Sequence, residues 1–211
     1  MIPKRVDYAS LDEEYSDPKS LMYKKIHIVD SFIPNGGILL DIGSGTGELI
    51  YLRLGKHRKI YGIDNDIKSL EMCQQKFLQN DNVKIFSVSI NQINERIQEK
   101  IDCITCLDIL EHIQEKEIPL VLKNIHGLLN TQGIFIFSGP GVFEKLKISL
   151  GLSRTHLHSH SSYGWKKYIE DADFTIKTIE SVEFPLIHSD FLRKNFHLFG
   201  KCCIIMAQKN E

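Results

Sequence analysis

The sequence predicts an α/β fold: a mostly parallel sheet with helices on both faces, a three-layer sandwich. Three observations predict it. Short apolar runs alternate with stretches of helical periodicity along residues 18–137. The runs are near-continuous, as in strands buried on both faces. One of them, Ile38-Leu39-Leu40-Asp41-Ile42, passes through three alternating glycines directly into a helical pattern.

The elements follow in order. Residues 1–17 are polar and acidic, with Tyr8 and Tyr15, and read as a flexible lead-in; 18–211 read as a single domain. Pro18 suits the first turn of a helix reaching Phe32, with Leu21, Met22, Ile26 and Val29 on its apolar side. Pro34-Asn35-Gly36-Gly37 ends that helix, and the first strand is 38–42. Glu48 to Leu54 form a short helix stopped by Gly55. Residues 59–63 form a second strand ending at Asp64. Asp66 caps a helix carrying Ile67, Leu70, Cys73 and Phe77. Val83–Val88 and Ile101–Leu107 are the third and fourth strands. Pro119 opens an amphipathic helix with Val121, Leu122, Ile125, Leu128 and Leu129. Asn130-Thr131-Gln132-Gly133 turns the chain into a fifth strand, 134–137. Regularity lapses over 139–162, which holds Gly139-Pro140-Gly141, a helix over Val142–Leu150 and a histidine-rich loop. A helix over 163–171, a strand over 173–182, an aromatic-containing connection and an apolar strand over 201–208 complete the chain.

Composition narrows the function. The 211 residues carry a net charge of −1, which gives no electrostatic footprint for nucleic acid. No apolar run has the length of a signal-peptide core or a membrane span. Five cysteines, an odd count, fit reduced thiols in a cytoplasmic protein.

The glycine turn carries the chemistry. Gly43, Gly45 and Gly47 accept positive φ and let a ligand approach the backbone, and the helix start that follows offers unpaired N–H groups. The spacing is G-x-G-x-G, not the G-x-G-x-x-G of dinucleotide folds. Asp64 lies 17 residues after Gly47, where a carboxylate can accept both hydroxyls of a ribose.

Asp41-x-Gly43-x-Gly45-x-Gly47 resembles motif I of the class I S-adenosylmethionine-dependent methyltransferases. Tyr61-Gly62-Ile63-Asp64 resembles their second motif. Residues 101–112, ending Leu110-Glu111-His112, resemble their fourth-strand signature. Leu128 to Ile134 and Gly164 to Phe174 resemble the turns before the fifth and sixth strands. The resemblance covers 36–208 and is to the small-molecule, ubiquinone-pathway-like (type 11) group. It implies a Rossmann-like fold of seven strands with an antiparallel last strand beside the fifth, S-adenosylmethionine as cofactor and S-adenosylhomocysteine as product. It further implies that Asp41 orients the methionine amino group, and that Gly43, Ser44, Gly45 and Gly47 pass beneath the methionyl and ribose parts. Asp64 would bind the ribose, Asn65, Ser89 and Ile90 would flank the adenine, and the Leu107 carbonyl would face the amino group. Relatives often place an acid after the third strand, where this chain has Ser89, Ile90 and Asn91. The irregular stretches 139–162 and 184–199 fall where the family builds its substrate cover.

The acceptor is less legible. His112, His156 and His158 are the base or substrate-contact candidates, since imidazole titrates near neutrality. His156-x-His158-x-His160 places three imidazoles on one face of an extended chain, but no carboxylate or cysteine at supporting spacing completes a metal site in that loop, so no metal is assigned. Cys103 and Cys106 sit three apart in one strand, on opposite faces, and read as core. The fourth strand ends Leu-Asp-Ile-Leu, unlike the Pro-Pro-Tyr run of amino-methylating nucleic-acid enzymes, and has no Pro-Cys nucleophile. A small organic acceptor methylated on oxygen is the leading expectation. A non-catalytic binding protein on the same fold and a nicotinamide-dependent oxidoreductase are the alternatives.

Overall fold

The computed structural model of the protein describes residues 15–141, 150, 156–182 and 201–210. Seven strands form one sheet: β1 (Ile38–Ile42), β2 (Lys59–Asp64), β3 (Val83–Ser87), β4 (Ile101–Leu107), β5 (Leu129–Pro140), β6 (Phe174–Val182) and β7 (Cys202–Lys209). Their order is β3-β2-β1-β4-β5-β7-β6. The first five run parallel, and β7 inserts antiparallel between β5 and β6. This is the seven-stranded Rossmann-like sandwich implied by the sequence resemblance.

The order positions the site. The chain starts at β1, moves out through β2 to β3, then crosses back to β4 on the other side of β1. Ligands in such sheets bind at the carboxyl ends of the strands flanking that reversal. Alternation in the central strands supplies the two cores. Ile38, Leu40 and Ile42 enter one cluster, with Phe135, Phe137 and Trp165. Leu39 enters the other, with Val29, Ile50 and Ile204. Cys106 joins the first cluster and Cys103 the second, the opposite-face placement expected of them. Burial pushes both thiols up, leaving them neutral packing groups.

Three elements differ in extent from expectation. The first helix runs Leu21–Phe32 because Ser20 caps it, its Oγ accepting from the Tyr23 N–H at 2.9 Å. Pro18 instead lies in the preceding turn, where Ser20 N–H bonds the Asp17 carbonyl. The lead-in is held at its end: Tyr15 packs against the second core cluster. Strand β5 has 12 residues rather than the short run at 134–137. Leu129 already pairs with Ile101, and Ile134 pairs with Cys103, so Asn130 to Gly133 form a wide bulge within one strand. At its far end β5 extends to Pro140 because β7 pairs it there, Pro140 opposite Cys202. The helix Ser162–Asp171 starts one residue earlier than expected, at a Ser161 cap whose Oγ accepts from the Gly164 N–H. The expected helix over 142–150, apart from Leu150, and the whole 184–199 stretch lie outside the described residues.

A buried arginine ties the first two helices together. Arg53 is 3% exposed. Its guanidinium donates to the Asp30 carboxylate, the Ile33 and Pro34 carbonyls and the Asn35 side chain. These bonds fix the turn that leads from the first helix into β1. Among the described residues no helix is long and apolar enough to cross a membrane.

Candidate functional site

A cleft of about 260 Å³ opens at the carboxyl ends of β1, β2 and β3. Its walls come from four turns: Ile42 and Gly43 after β1, Asp64 and Asn65 after β2, Ser89 to Asn91 after β3, and Ile109 to Ile113 after β4. Six residues singled out from the sequence meet here: Gly43, Asp64, Asn65, Ser89, Ile90 and His112. The apolar wall of Val88, Ile109 and Ile113 was not anticipated. Ile109 and Ile113 carried a signal, being apolar residues in a polar turn after a parallel strand.

The glycine turn fits its sequence. Gly43, Gly45 and Gly47 have φ of 75°, 52° and 92°. A Cβ at Gly43 would run into Ile109, and one at Gly47 would come within 2.5 Å of Phe77. At Gly45 a Cβ would meet nothing within 4 Å, so that residue needs glycine for its backbone angle alone. The turn is anchored to β2: Gly43 and Ser44 N–H groups donate to the Ile63 carbonyl at 2.8 and 3.0 Å. Gly47 leads into the helix Glu48–Arg53.

Asp64 is held from below. Its Oδ2 accepts from the Gly45 N–H at 2.9 Å, and its Oδ1 from the Asn65 and Asp66 N–H groups at 2.7 and 2.9 Å. Three backbone donors fix the carboxylate's plane and leave each oxygen further capacity to accept a hydroxyl. Asp41 is different. It is 3% exposed and lies off the cleft wall, beneath the turn. Thr105 Oγ1 donates to its carboxylate at 2.7 Å. Burial pushes its pKa up to about 7; the Thr105 bond opposes this, while the Asp64 and Glu48 charges add to it. A buried carboxylate so poorly compensated is poised to receive a cation. Ser44 is buried, and Leu107 ends β4 packed in the second core; neither is on the cleft wall.

An ion pair that sequence reasoning missed joins the first helix to the turn after β4. Lys25 is 3% exposed and pairs with Asp108, which also accepts from Ser138 Oγ at 2.8 Å. Burial disfavours the charge on both, but the pairing outweighs it, holding Asp108 below and Lys25 above the ordinary values. The signal was a lysine on the apolar side of the first helix, beside Ile26. Asp108 has φ 53°, which aspartate tolerates better than most residues.

The histidines divide. His156 stands beside His112, ring centroids 5.0 Å apart. His158 turns into the protein: its Nε2 lies 3.0 Å from the Ile113 carbonyl and its ring packs 5.7 Å from Trp165. A carbonyl can only accept, so Nε2 is the donor in that bond. His160 packs on Trp165 and sits 3.2 Å from Glu115. The three do not share one environment: His156 faces the His112 ring, while His158 and His160 pack on Trp165.

The sheet order and this turn define a class: an α/β domain with the fold of the class I S-adenosylmethionine-dependent methyltransferases. The chain belongs to the methyltransferase domain family, whose model matches residues 34–186. It is 27% identical over 108 residues to the ubiquinone biosynthesis O-methyltransferase of Paracidovorax citrulli (strain AAC00-1), covering 50% of this chain and 45% of that one. It is 20% identical over 149 residues to YqeM, a protein of Bacillus subtilis (strain 168) named as a methyltransferase by assignment, covering 70% and 60%. The chain therefore spans about half the length of these curated relatives. Among solved structures, magnesium protoporphyrin IX methyltransferase of Synechocystis PCC 6803 with bound SAH superposes with a TM-score of 0.70 at 18% identity, covering 96% of this chain and 94% of that one. The N-methyltransferase NodS of Bradyrhizobium japonicum WM9 in complex with S-adenosylhomocysteine superposes with 0.71 at 12%, covering 97% and 98%.

Proposed function

We propose that this chain transfers the methyl group of S-adenosylmethionine to an oxygen of a small organic acceptor, leaving S-adenosylhomocysteine. The observation that carries the reading is the Asp64 carboxylate, pinned by Gly45, Asn65 and Asp66 N–H groups at the floor of a cleft with apolar walls. Each Asp64 oxygen takes one ribose hydroxyl. Ile90, Ile109 and Ile113 supply apolar surface for the flat faces of the adenine. Asp41 takes the methionine ammonium, whose positive charge restores the ionised carboxylate that burial disfavours.

The acceptor oxygen attacks the methyl carbon in line, the carbon–sulfur bond breaks, and its electron pair goes to sulfur. The sulfonium is already activated, so the protein's contribution is to position the two partners and exclude water. Oxygen as acceptor atom is supported by the β4 ending Leu-Asp-Ile-Leu and by the oxygen-methylating curated relative. A net charge of −1 supports a small molecule over nucleic acid.

Calorimetric titration with S-adenosylhomocysteine tests the donor site; one molecule per chain at micromolar affinity is expected. No heat and no thermal shift at ~1 mM ligand, far above that range, would overturn the reading. Heat from a nicotinamide dinucleotide instead would place the chain among oxidoreductases. Incubating the protein with methyl-labelled donor and a metabolite extract identifies the acceptor by mass. Donor binding without any labelled product would favour a binding protein.

A further inference from the structure

We propose that His57 is an acid-released latch on the turn that joins the first helix to β1: its neutral imidazole holds the turn closed, and a proton on the ring opens it. The residue is 7% exposed. Both of its ring nitrogens are committed. Nδ1 lies 2.8 Å from the Gly36 carbonyl, which can only accept, so Nδ1 carries the hydrogen. Nε2 lies 3.0 Å from Nε of Arg53, whose N–H can only donate, so Nε2 offers a lone pair. The two partners together specify one tautomer of the neutral ring. The protonated ring carries N–H on both nitrogens and has nothing with which to accept from Arg53. A proton at Nε2 sets donor against donor and an imidazolium against a buried guanidinium.

The chain brings the parts of this latch together from two directions. Arg53 ends the helix Glu48–Arg53, and Gly55, at φ 71°, turns the chain so that His57 comes back beside it. The His57 carbonyl accepts from the Asn82 side chain at 3.3 Å, which ties its backbone to the turn before β3. Opposite stand the carbonyls of Ile33, Pro34 and Gly36. Arg53 binds the first two and His57 the third, so the pair spans the whole turn. Two backbone bonds close it: Gly36 N–H to the Lys56 carbonyl at 2.7 Å, and Arg58 N–H to the Gly37 carbonyl at 2.9 Å.

The charges facing the ring do not make a proton welcome. Arg53 and Lys56 face it from the helix and the turn that follows, and Asp102 from β4. Asp102 already accepts from the Ile38 N–H at 2.7 Å and the Asn130 side chain at 2.6 Å. Asp30, on the first helix, is taken up by Arg53 at 3.1 Å and Lys56 at 3.7 Å. Burial holds the imidazole below its ordinary value; Arg53 and Lys56 add to this, while the Gly36 bond and Asp102 oppose it. With the turn open and the ring in water, the imidazole titrates near about 6.5. The closed form thus binds fewer protons than the open one. Closure strengthens as pH rises to about 6.5 and levels off above it. Below that value each pH unit shifts the balance toward the open turn by up to about tenfold. Opening frees the C-terminal end of the first helix, while the Lys25–Asp108 pair still holds the helix nearer its start.

The test compares the full chain with His57→Gln, which keeps a side-chain donor and acceptor but cannot titrate. Urea unfolding at pH 8 and pH 5 is read as the ratio of the two unfolding constants, because Asp41 moves the stability of both proteins alike. The variant should be the less stable at pH 8, and the ratio should close by at least about fivefold at pH 5. A ratio equal at the two pH values, or one that widens in acid, overturns the proposal. Amide exchange at Gly36 and Arg58, corrected for its intrinsic pH dependence, should quicken in acid in the parent and not in the variant; exchange independent of pH in the parent overturns it. A measurement on the unmodified protein needs no variant to fold: the His57 ring protons, followed by NMR, should titrate with a midpoint at least about half a unit below 6.5, and a midpoint at or above that value overturns the latch.

Discussion

Asp41→Asn should make the protein more stable and worse at holding its donor. The carboxylate is 3% exposed, with Thr105 Oγ1 donating to it, and burial moves its pKa from 3.8 to about 7. A folded pKa above the unfolded one means the native state binds the extra proton. Stability therefore falls as pH rises from about 4 to about 7 and levels off above that. At about 1.36 kcal/mol per pH unit the full effect is about 4 kcal/mol. Asparagine removes it and keeps an oxygen for Thr105, but buries an amide N–H pair at a penalty of about 1–2 kcal/mol. A net gain of about 2–3 kcal/mol at pH 8 follows, near zero at pH 5. Urea unfolding of both proteins at the two pH values measures this. Equal stability at pH 8, or a gain independent of pH, would refute the reasoning. Affinity should move the other way: losing an ionic hydrogen bond of about 1.5–3 kcal/mol weakens S-adenosylhomocysteine about 10- to 150-fold at pH 8. In the unmodified protein the same affinity should decline below pH 7, where Asp41 takes up its proton before the ammonium arrives.

Other outcomes follow from the same geometry. Asp64→Ala should raise the S-adenosylhomocysteine dissociation constant by about 30-fold or more, two hydroxyl bonds at about 1 kcal/mol each, whereas His158→Ala should change it less than threefold by the same titration; equal effects contradict the assignment. Gly47→Ala places a Cβ 2.5 Å from Phe77 at φ 92° and should lose about 2 kcal/mol of stability by denaturant unfolding, with weaker donor binding. Arg53→Met leaves Asp30 only the more distant Lys56 and strips the Ile33 and Pro34 carbonyls of their donor; it should destabilise by about 3 kcal/mol, shifting Tm by roughly 6–12 °C, with little change in donor affinity once folded.

The glycine turn and the acid beside it were legible in the sequence because their requirements are local. A turn needing positive φ three times over five residues demands glycines at fixed spacing, and an acid ending β2 reaches that turn through one backbone bond, Asp64 to Gly45. The cap at Asp66 and the opposite faces of Cys103 and Cys106 follow from single-element geometry. The fifth strand was underread because its length is set by partners, β4 at Leu129 and β7 at Pro140, and not by its own polar bulge.

By itself the sequence determined the fold class, the strand-turn-helix at 38–53 and the acid that faces it. Periodicity and turn chemistry are encoded within a few neighbouring residues. Only the tertiary structure decided which distant groups share a dielectric and a distance. It buried Asp41 against Thr105, paired Lys25 with Asp108, and separated His156 from His158 by seating one on the His112 turn and the other on Trp165. Those juxtapositions arise from the register of β1 against β4 and from the docking of residues 156–160 on the turn after β4. They are long-range contacts, and no local pattern in the chain records them.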